Sequence, residues 1–287
     1  MSRPASSHGV VCLPALDLRT RPDHAAELGS QLLLGEVVRA LAADRSGGWW
    51  RVRNLADGYE GWVRAWGLVP ASARRAARWQ ARARARIGAA FTLARARPGA
   101  GAAVSPVFLG GRVIGRGRRG RFRAVELPDG RRGWLPHADL ASGRSRPDLR
   151  TRILSLLGVP YLWGGRTPAG YDCSSFVQQV LLEQGIRLPR DAHAQWRACR
   201  VLPGGATGRP GDLAFFSRSP RGRMGHVGMG LGGAWLADCR GRVRVISLDR
   251  NNPMCDKDLL PQFRGWFRPR GRAPAVHPGA GRTRDSA

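Results

Sequence analysis

Short hydrophobic runs with an alternating β-type pattern fill the first half of the chain, and glycine and aspartate turns separate them. The same succession of runs occurs twice. The first copy contains Leu34–Val38, Trp50–Val52 and Asp57–Val63, and the second contains Leu109–Val113, Phe122–Val125 and Asp129–Leu135. Each copy ends with an Asp-Gly turn followed by a strand that contains Gly-Trp. An internal repeat of this kind predicts two small β-barrels.

The pattern then changes to helical spacing followed by further strands. The hydrophobic face of a first predicted helix consists of Leu149, Ile153, Leu156 and Leu157. A second helix is expected to begin near Asp172 or Cys173 and to end at Gly185. Four strand-like runs follow, at Asp212–Phe216, His226–Leu231, Ala234–Cys239 and Arg242–Leu248. We expect a helix packed on an antiparallel sheet, which makes the fold class α+β.

These changes of pattern divide the chain into five segments. They are a first β domain at 1–72, an Arg/Ala-rich linker at 73–87, a second β domain at 88–142, a mixed domain at 143–271 and a disordered tail at 272–287. Residues 73–86 hold six arginines and no acid among helix-forming alanines, which predicts a solvated helical linker. Residues 143–148 form a second joint between domains.

The composition is that of a globular protein, with 43% hydrophobic and 24% charged residues among 287. Its 48 basic and 20 acidic residues give a formal net charge of +28, which would suit a nucleic-acid partner. The arginines are spread over every segment, however, so we expect no nucleic-acid partner. No stretch approaches the ~20 apolar residues of a membrane span, and the N-terminus lacks the hydrophobic region of a secretory signal. We therefore expect a cytoplasmic protein without a membrane span, and we favour a monomer although the oligomeric state is open.

The five cysteines are odd in number and scattered, without a CxxC pair. They are Cys12, Cys173, Cys199, Cys239 and Cys255. This spacing argues against a disulfide framework and against a zinc site, and we expect neither a metal nor an organic cofactor.

Cys173 is the candidate nucleophile. It lies where a loop ends and an amphipathic helix begins, and the unpaired N–H groups of a first helical turn stabilise a thiolate. His226 opens a strand between glycines and could accept the thiol proton. If the strands on either side of Gly232 and Gly233 pair, Asp238 comes close to His226 and could fix its tautomer. The sequence therefore predicts a constellation of Cys173, His226 and Asp238.

Five sequence blocks occur in order through this part of the chain. They are PYLWGG at 160–165, DCSS at 172–175, LPRD at 188–191, GDL at 211–213 and GHVG at 225–228. In this order they resemble the signature blocks of the NlpC/P60 cysteine peptidases. The two β repeats resemble bacterial SH3 (SH3b) domains, and the whole arrangement is similar to the γ-D-glutamyl-L-diamino acid endopeptidases. The resemblance implies two SH3-like β-barrels followed by a papain-like domain.

The resemblance also implies roles for residues around the nucleophile. Tyr161 and the backbone N–H of Cys173 would form an oxyanion hole. Arg190 would bind the α-carboxylate of D-Glu. The residues implied to line the substrate site are Trp163, Asp172, Ser174, Arg190 and Asp191.

In the group with two SH3b domains, the first SH3b domain binds the free N-terminal amine of L-Ala-γ-D-Glu. The matching positions here are Glu36 and Tyr59, and an anionic partner suits a buried ammonium. The second repeat has Gly111 and Arg131 at the aligned positions, so only the first copy keeps both groups. We expect Glu36 and Tyr59 to bind the amine. The alternative is an ordinary surface glutamate and a turn tyrosine.

Three positions depart from the family pattern. Asp238 stands where the third catalytic residue is usually His, and a carboxylate is also able to orient an imidazole. Ser175 replaces the usual Gly after Cys-Ser. Ala192 stands where relatives often have Ser, so the contacts to D-Glu are left open.

The expected function is that of a cysteine endopeptidase in cell-wall peptide recycling. It would hydrolyse the bond from γ-D-Glu to the diamino acid, diaminopimelate or lysine, in murein peptides with a free N-terminal L-Ala. One alternative is an exported lysin or effector that acts on polymeric wall. A second is a non-catalytic SH3b binding protein, and a third is a basic nucleic-acid adaptor that binds through residues 73–86.

Overall fold

The computed structural model describes residues 4–141, 147–204, 207–220 and 222–270. The predicted tail and most of the predicted joint at 143–148 lie outside the described residues. Three antiparallel sheets of six or seven strands and a two-stranded hairpin make up the architecture. Within the described ranges, no helix combines the length and the hydrophobicity needed to cross a membrane.

The first repeat forms a seven-stranded sheet. Its strands are β1 (His8–Val11), β2 (Ala15–Arg19), β3 (Leu28–Leu33), β4 (Val37–Ala43), β5 (Trp49–Asn54), β6 (Glu60–Arg64) and β7 (Leu68–Ala71). They pair in the open order β3-β2-β6-β5-β4-β1-β7. Alternate side chains point inward to a small core that includes Leu18, Val52 and Val63. The Asp-Gly turn predicted from the repeat joins β5 to β6, and Gly58 there adopts the left-handed φ of +79°.

A helix connects the first sheet to the second. This helix, α1 (Ala73–Arg82), is capped by Ser72, whose side chain accepts a hydrogen bond from the Arg75 backbone N–H. All of its arginines are exposed, as expected for a solvated linker. The predicted linker runs to residue 87, but the end of it belongs to the second sheet. Residues 85–86 form a strand there, and Ile87 lies in that sheet's core.

The second repeat forms a six-stranded sheet in the order β10-β9-β13-β12-β11-β8. Its strands are β8 (Ala85–Arg86), β9 (Phe91–Arg97), β10 (Ala100–Phe108), β11 (Arg112–Arg119), β12 (Phe122–Glu126) and β13 (Arg132–Pro136). Leu34 of the first repeat is fully buried in the core of this second sheet. The two repeats are therefore packed together rather than strung apart.

The remaining domain places helices against a third antiparallel sheet. Its elements are α2 (Leu149–Leu154), β14 (Arg166–Thr167), β15 (Gly170–Tyr171), α3 (Cys173–Glu183), α4 (Ala192–Arg197), β16 (Cys199–Val201), β17 (Leu213–Phe216), β18 (His226–Gly232), β19 (Trp235–Arg240), β20 (Arg242–Ser247) and β21 (Phe263–Pro269). The six-stranded sheet has the order β16-β21-β17-β18-β19-β20, and α3 packs on β18 and β19. The predicted α+β class is confirmed. The strands β16 and β21 were not predicted.

Candidate active site

Cys173 is the first residue of α3 and is 7% exposed. Asp172 caps the helix, because its Oδ1 accepts a hydrogen bond of 2.8 Å from the Ser175 backbone N–H. The Ser175 hydroxyl in turn accepts from the Asp172 backbone N–H at 3.1 Å and donates to the Gly165 carbonyl at 2.5 Å. The serine that replaces the usual glycine thus completes a capping box. The thiol is held at the positive end of a well-fixed helix.

His226 opens β18 and points toward the thiol. Its Nε2 lies 2.8 Å from Oδ2 of Asp238, which leaves Nδ1 for Cys173. Burial alone would lower the pKa of His226, but hydrogen bonds to Asp238 and Cys173 outweigh it and raise the pKa to about 9. The imidazole is therefore positively charged at neutral pH. This arrangement can hold a thiolate and an imidazolium side by side.

Asp238 is fully buried and is held from its other side by Arg244. The register explains the placement, because Asp238 lies opposite Gly228 on β18 and opposite Arg244 on β20. Arg244 Nε donates to Asp238 Oδ1 at 2.9 Å. Its Nη2 donates to Asp256 at 2.6 Å. A buried carboxylate needs such a partner, and Arg244 was not predicted from the sequence.

Tyr161 lies at the same end of the cleft as the nucleophile. Its backbone N–H donates to the Gly241 carbonyl at 2.8 Å, which fixes the loop that carries it. Burial and the nearby Cys173 raise the pKa of the Tyr161 hydroxyl, so the hydroxyl stays protonated and able to donate. A protonated phenol beside the nucleophile is suited to stabilising an oxyanion, as the sequence predicts.

Arg190 is almost fully buried, and its guanidinium holds Asp172. Nη1 and Nη2 donate to the two Asp172 oxygens at 3.0 and 2.5 Å. Nη1 also donates to Ser174 Oγ at 3.0 Å, and Nε donates to Ser30 Oγ of the first sheet at 2.9 Å. These bonds use four of the five guanidinium N–H groups. Arg190 thus supports the cap of α3, and its contact with a substrate carboxylate stays a prediction.

Residues of the first sheet and of the catalytic domain share the rim of the cleft. The Tyr59 hydroxyl lies close to Asp191, and burial raises the pKa values of both groups. Glu27 is exposed, and its Oε1 accepts a hydrogen bond of 2.8 Å from Nε1 of Trp163. Glu27 and Asp191 are both close enough to Tyr59 to raise its pKa. Two carboxylates and a phenol therefore face one region beside Trp163.

Glu36 does not reach this rim, which corrects the expectation that it binds an amine. Glu36 is 7% exposed, and its carboxylate accepts two hydrogen bonds of 3.0 Å from Arg166 of the catalytic domain. The Leu33 backbone N–H and the Asn54 side chain also donate to Oε2, at 2.9 and 3.3 Å. A carboxylate with this set of donors is satisfied. Glu27 was not predicted from the sequence, because it lies outside the Leu34-Gly35-Glu36 block.

The described residues thus bring together a thiol, an imidazole, a carboxylate and a phenol at the N-terminus of a helix packed on an antiparallel sheet. These are the groups that nucleophilic catalysis by a cysteine requires. Residues 158–261 match the model of the NlpC/P60 family, and residues 18–68 match that of the bacterial dipeptidyl-peptidase Sh3 domain. The chain contains an NlpC/P60 domain, and a bacterial SH3 domain precedes it.

Known proteins agree with this assignment over parts of the chain. A γ-D-glutamyl-L-lysine dipeptidyl-peptidase of Bacillus cereus is 32% identical over 139 residues, which cover 45% of this chain and 41% of that protein. The protein of the same name from Bacillus subtilis is 41% identical over 78 residues, 27% of this chain and 26% of that protein. The chain therefore aligns with less than half of either relative. A crystal structure of an NlpC/P60 family protein from Bacillus cereus superposes with a TM-score of 0.77 at 22% identity, covering 91% of this chain and 99% of that one.

Proposed function

We propose that this chain is a cysteine peptidase that hydrolyses the bond from γ-D-Glu to the diamino acid in murein peptides with a free N-terminal L-Ala. The observation that carries the proposal is the shared rim, where Tyr59 and Glu27 of the SH3 domain meet Asp191 beside the catalytic cleft. The names of the aligned relatives, γ-D-glutamyl-L-lysine dipeptidyl-peptidases, support the same reaction class. A role in peptide recycling would place the enzyme in the cytoplasm.

The catalytic step follows from the geometry around Cys173. The thiolate attacks the γ-carbonyl carbon of D-Glu, and the negative charge moves to the carbonyl oxygen. The Cys173 backbone N–H and the Tyr161 hydroxyl donate to that oxygen. His226 then gives its proton to the departing amine of the diamino acid, which leaves a γ-thioester on Cys173 and a neutral imidazole.

The second half of the cycle returns the enzyme to its starting state. Neutral His226 takes a proton from water, and the hydroxide attacks the thioester carbonyl. The bond from carbon to sulfur breaks, L-Ala-D-Glu leaves with a free γ-carboxyl group that loses its proton to solvent, and Cys173 is again a thiolate beside a protonated His226. Asp238 keeps the ring in the orientation that both halves require.

The rim gives the enzyme its preference for a free amine. An ammonium that lies between Glu27, Asp191 and the Tyr59 oxygen would be surrounded by acceptors and by negative charge. An N-acetylated peptide has no charge to pair with these carboxylates, and its acetyl group needs space in the same region. Binding of an N-blocked stem would leave both carboxylates without a cation.

The experiment is mass spectrometry of purified enzyme with L-Ala-γ-D-Glu-diaminopimelate, with the lysine analogue, and with the N-acetylated form of each. Cys173→Ala is the inactive control. We expect L-Ala-D-Glu from the free peptides only, and the better of the two substrates identifies the diamino acid. Equal cleavage of free and N-acetylated peptides would favour a wall lysin instead. If neither form is cleaved, the alternative of a non-catalytic protein that binds through its SH3 domains is favoured.

A further inference from the structure

We propose that the buried ion pair between Glu36 and Arg166 is the positioning element that seats the first SH3 domain on the catalytic cleft and so sets the preference for a free N-terminal amine. The inference rests on the proposed function, and it assigns to Glu36 a role in specificity without contact with substrate.

The pair joins the two domains at a point where both side chains are buried. Arg166 is 1% exposed and begins β14, directly after the Trp-Gly-Gly segment. Its two terminal nitrogens donate one hydrogen bond each to the two Glu36 oxygens, both at 3.0 Å. Such a two-point pair fixes orientation as well as distance. Without Glu36, the buried charge of Arg166 would be left with the more distant carboxylate of Asp57, 4.0 Å away.

Contacts around the pair link it to the first sheet. Arg166 Nη1 donates to the Gln31 carbonyl at 2.7 Å, and the Arg166 backbone N–H donates to Gln31 Oε1 at 3.1 Å. Two residues earlier, Gly164 adopts a φ of +75°, and a Cβ placed there would lie 2.2 Å from the Leu28 carbonyl oxygen. The segment from Gly164 to Arg166 therefore lies directly against β3.

The same segment connects the pair to the chemistry on one side and to the rim on the other. Trp163, next to Gly164, donates to Glu27, which immediately precedes β3. Gly164 and Gly165 also serve the catalytic helix, since the Gly164 N–H donates to Asp172 at 3.1 Å and the Gly165 carbonyl accepts from Ser175. Any shift of Arg166 would therefore move the loop that positions both Trp163 and the cap of α3.

A second contact between the first sheet and the catalytic domain lies beside the Glu36–Arg166 pair. Asp57 lies 4.0 Å from Arg166 and accepts a hydrogen bond of 3.3 Å from Gln178 on α3. Asp57 also accepts from the backbone N–H of Tyr59 at 3.1 Å, so it connects the ion pair to the phenol at the rim. The Glu36–Arg166 pair thus supports both groups that the SH3 domain contributes to the rim, Glu27 through β3 and Tyr59 through Asp57.

The test compares kcat/KM for the free and the N-acetylated tripeptide in wild-type enzyme, Glu36→Gln and Arg166→Lys. Glutamine keeps the shape of Glu36 but removes its charge, and lysine keeps the charge of Arg166 but loses the two-point contact. We expect the ratio of the two kcat/KM values to fall by about tenfold or more in Glu36→Gln and by less in Arg166→Lys. Glu183→Gln is the matched control, because Glu183 and Arg152 also form a buried pair, and both residues belong to the catalytic domain. Its ratio should equal that of wild type.

Hydrogen–deuterium exchange provides a readout that does not depend on the substrate. In Glu36→Gln, amides of residues 28–34 and 161–167 should exchange faster than in wild type, and in Glu183→Gln they should not. An unchanged ratio in folded Glu36→Gln and Arg166→Lys would overturn the inference. If the wild-type enzyme itself shows no preference for the free amine, the proposed function fails, and unchanged exchange in Glu36→Gln would then overturn the positioning role separately.

Discussion

Oδ2 of Asp238 lies 2.8 Å from Nε2 of His226, although Asp238 occupies a position where the third catalytic residue of similar enzymes is usually histidine. A buried carboxylate attracts a proton onto the imidazole more strongly than a neutral histidine would. Arg244, on the other side of Asp238, offsets part of that charge. Burial lowers the pKa of His226, but the hydrogen bonds to Asp238 and Cys173 outweigh it and bring the pKa to about 9.

Replacement of Asp238 by Asn should move the basic limb of the pH profile. The imidazolium form of His226 is present below pH 9 and is lost as the pH rises through that value. Asn removes the negative charge, so the pKa of His226 falls and kcat/KM declines at a lower pH than in wild type. We also expect kcat/KM at neutral pH to fall by roughly 10²-fold, since general acid–base catalysis is impaired.

The measurement is kcat/KM for the free tripeptide between about pH 5 and about pH 10, a range that covers the pKa of His226 in both enzymes. Asp256→Asn is the control, because Asp256 contacts Arg244 without contacting His226. Its basic limb should stay close to that of wild type. A basic limb that stays at the same pH in Asp238→Asn would show that another group governs it.

Glu27→Gln should weaken the binding of the free amine selectively. Gln keeps an oxygen that accepts from Trp163, so the rim stays in place while the negative charge is lost. We expect kcat/KM for the free tripeptide to fall about 10- to 100-fold, the size of one charge-assisted hydrogen bond, with little change for the N-acetylated form. Glu60→Gln is the comparison, since Glu60 is adjacent to Tyr59 and pairs with Arg51 and Arg53. Similar losses in both variants would point to general electrostatics rather than to an amine site.

The fold and the catalytic residues could be predicted from the sequence because each depends on a local pattern. The alternation in the repeats, the helix after Asp172 and the glycines around His226 are all visible within short windows. Even the approach of Asp238 to His226 follows from two neighbouring strands. Long-range ion pairs have no such local signal, as the 130-residue separation of Glu36 and Arg166 shows.

The choice of Glu36 over Glu27 as the amine-binding acid illustrates the same limit. Both are carboxylates in the first repeat, and the second repeat has no acid at either aligned position, where it holds Ala102 and Gly111. The partner of Glu36 is Arg166 of the catalytic domain, which contacts the first sheet at that point. An acid present in one repeat and absent from the other therefore accompanied a domain contact here, and a ligand contact would have produced the same difference in sequence.

Arg190→Met should destabilise the catalytic domain. Asp172 would remain buried without its ion partner, and the loss of one member of a buried pair costs about 3–5 kcal/mol in the free energy of unfolding. Arg53→Met provides the contrast, because its pair with Glu60 is half exposed and worth about 0–1 kcal/mol. Urea unfolding of both variants measures the difference. A loss of less than about 1 kcal/mol in Arg190→Met would mean that Asp172 finds another donor or takes up a proton.

Gly35→Ala tests whether the turn beside Glu36 is the meeting point of the domains. Gly35 has a φ of +77°, and a Cβ there would lie 2.2 Å from the Arg112 carbonyl oxygen of the second sheet. The Gly35 carbonyl also accepts from Nε1 of Trp79 on α1 at 2.9 Å. Gly58 is the matched control in the same sheet, since its φ is +79° and nothing lies within 4 Å of the position that a Cβ would take.

Both substitutions carry the strain of a left-handed alanine, about 1–2 kcal/mol. Only Gly35→Ala also forces the two sheets apart, so its loss in the free energy of unfolding should exceed that of Gly58→Ala by roughly 1–3 kcal/mol, as overpacking does elsewhere. Urea unfolding gives both values. Because Glu36 is the next residue, the displaced turn should also pull its carboxylate from Arg166, and Gly35→Ala should then lose part of the preference for the free amine. Equal losses in the free energy of unfolding for the two variants would show that the second sheet moves at Arg112 without disturbing the Glu36–Arg166 pair.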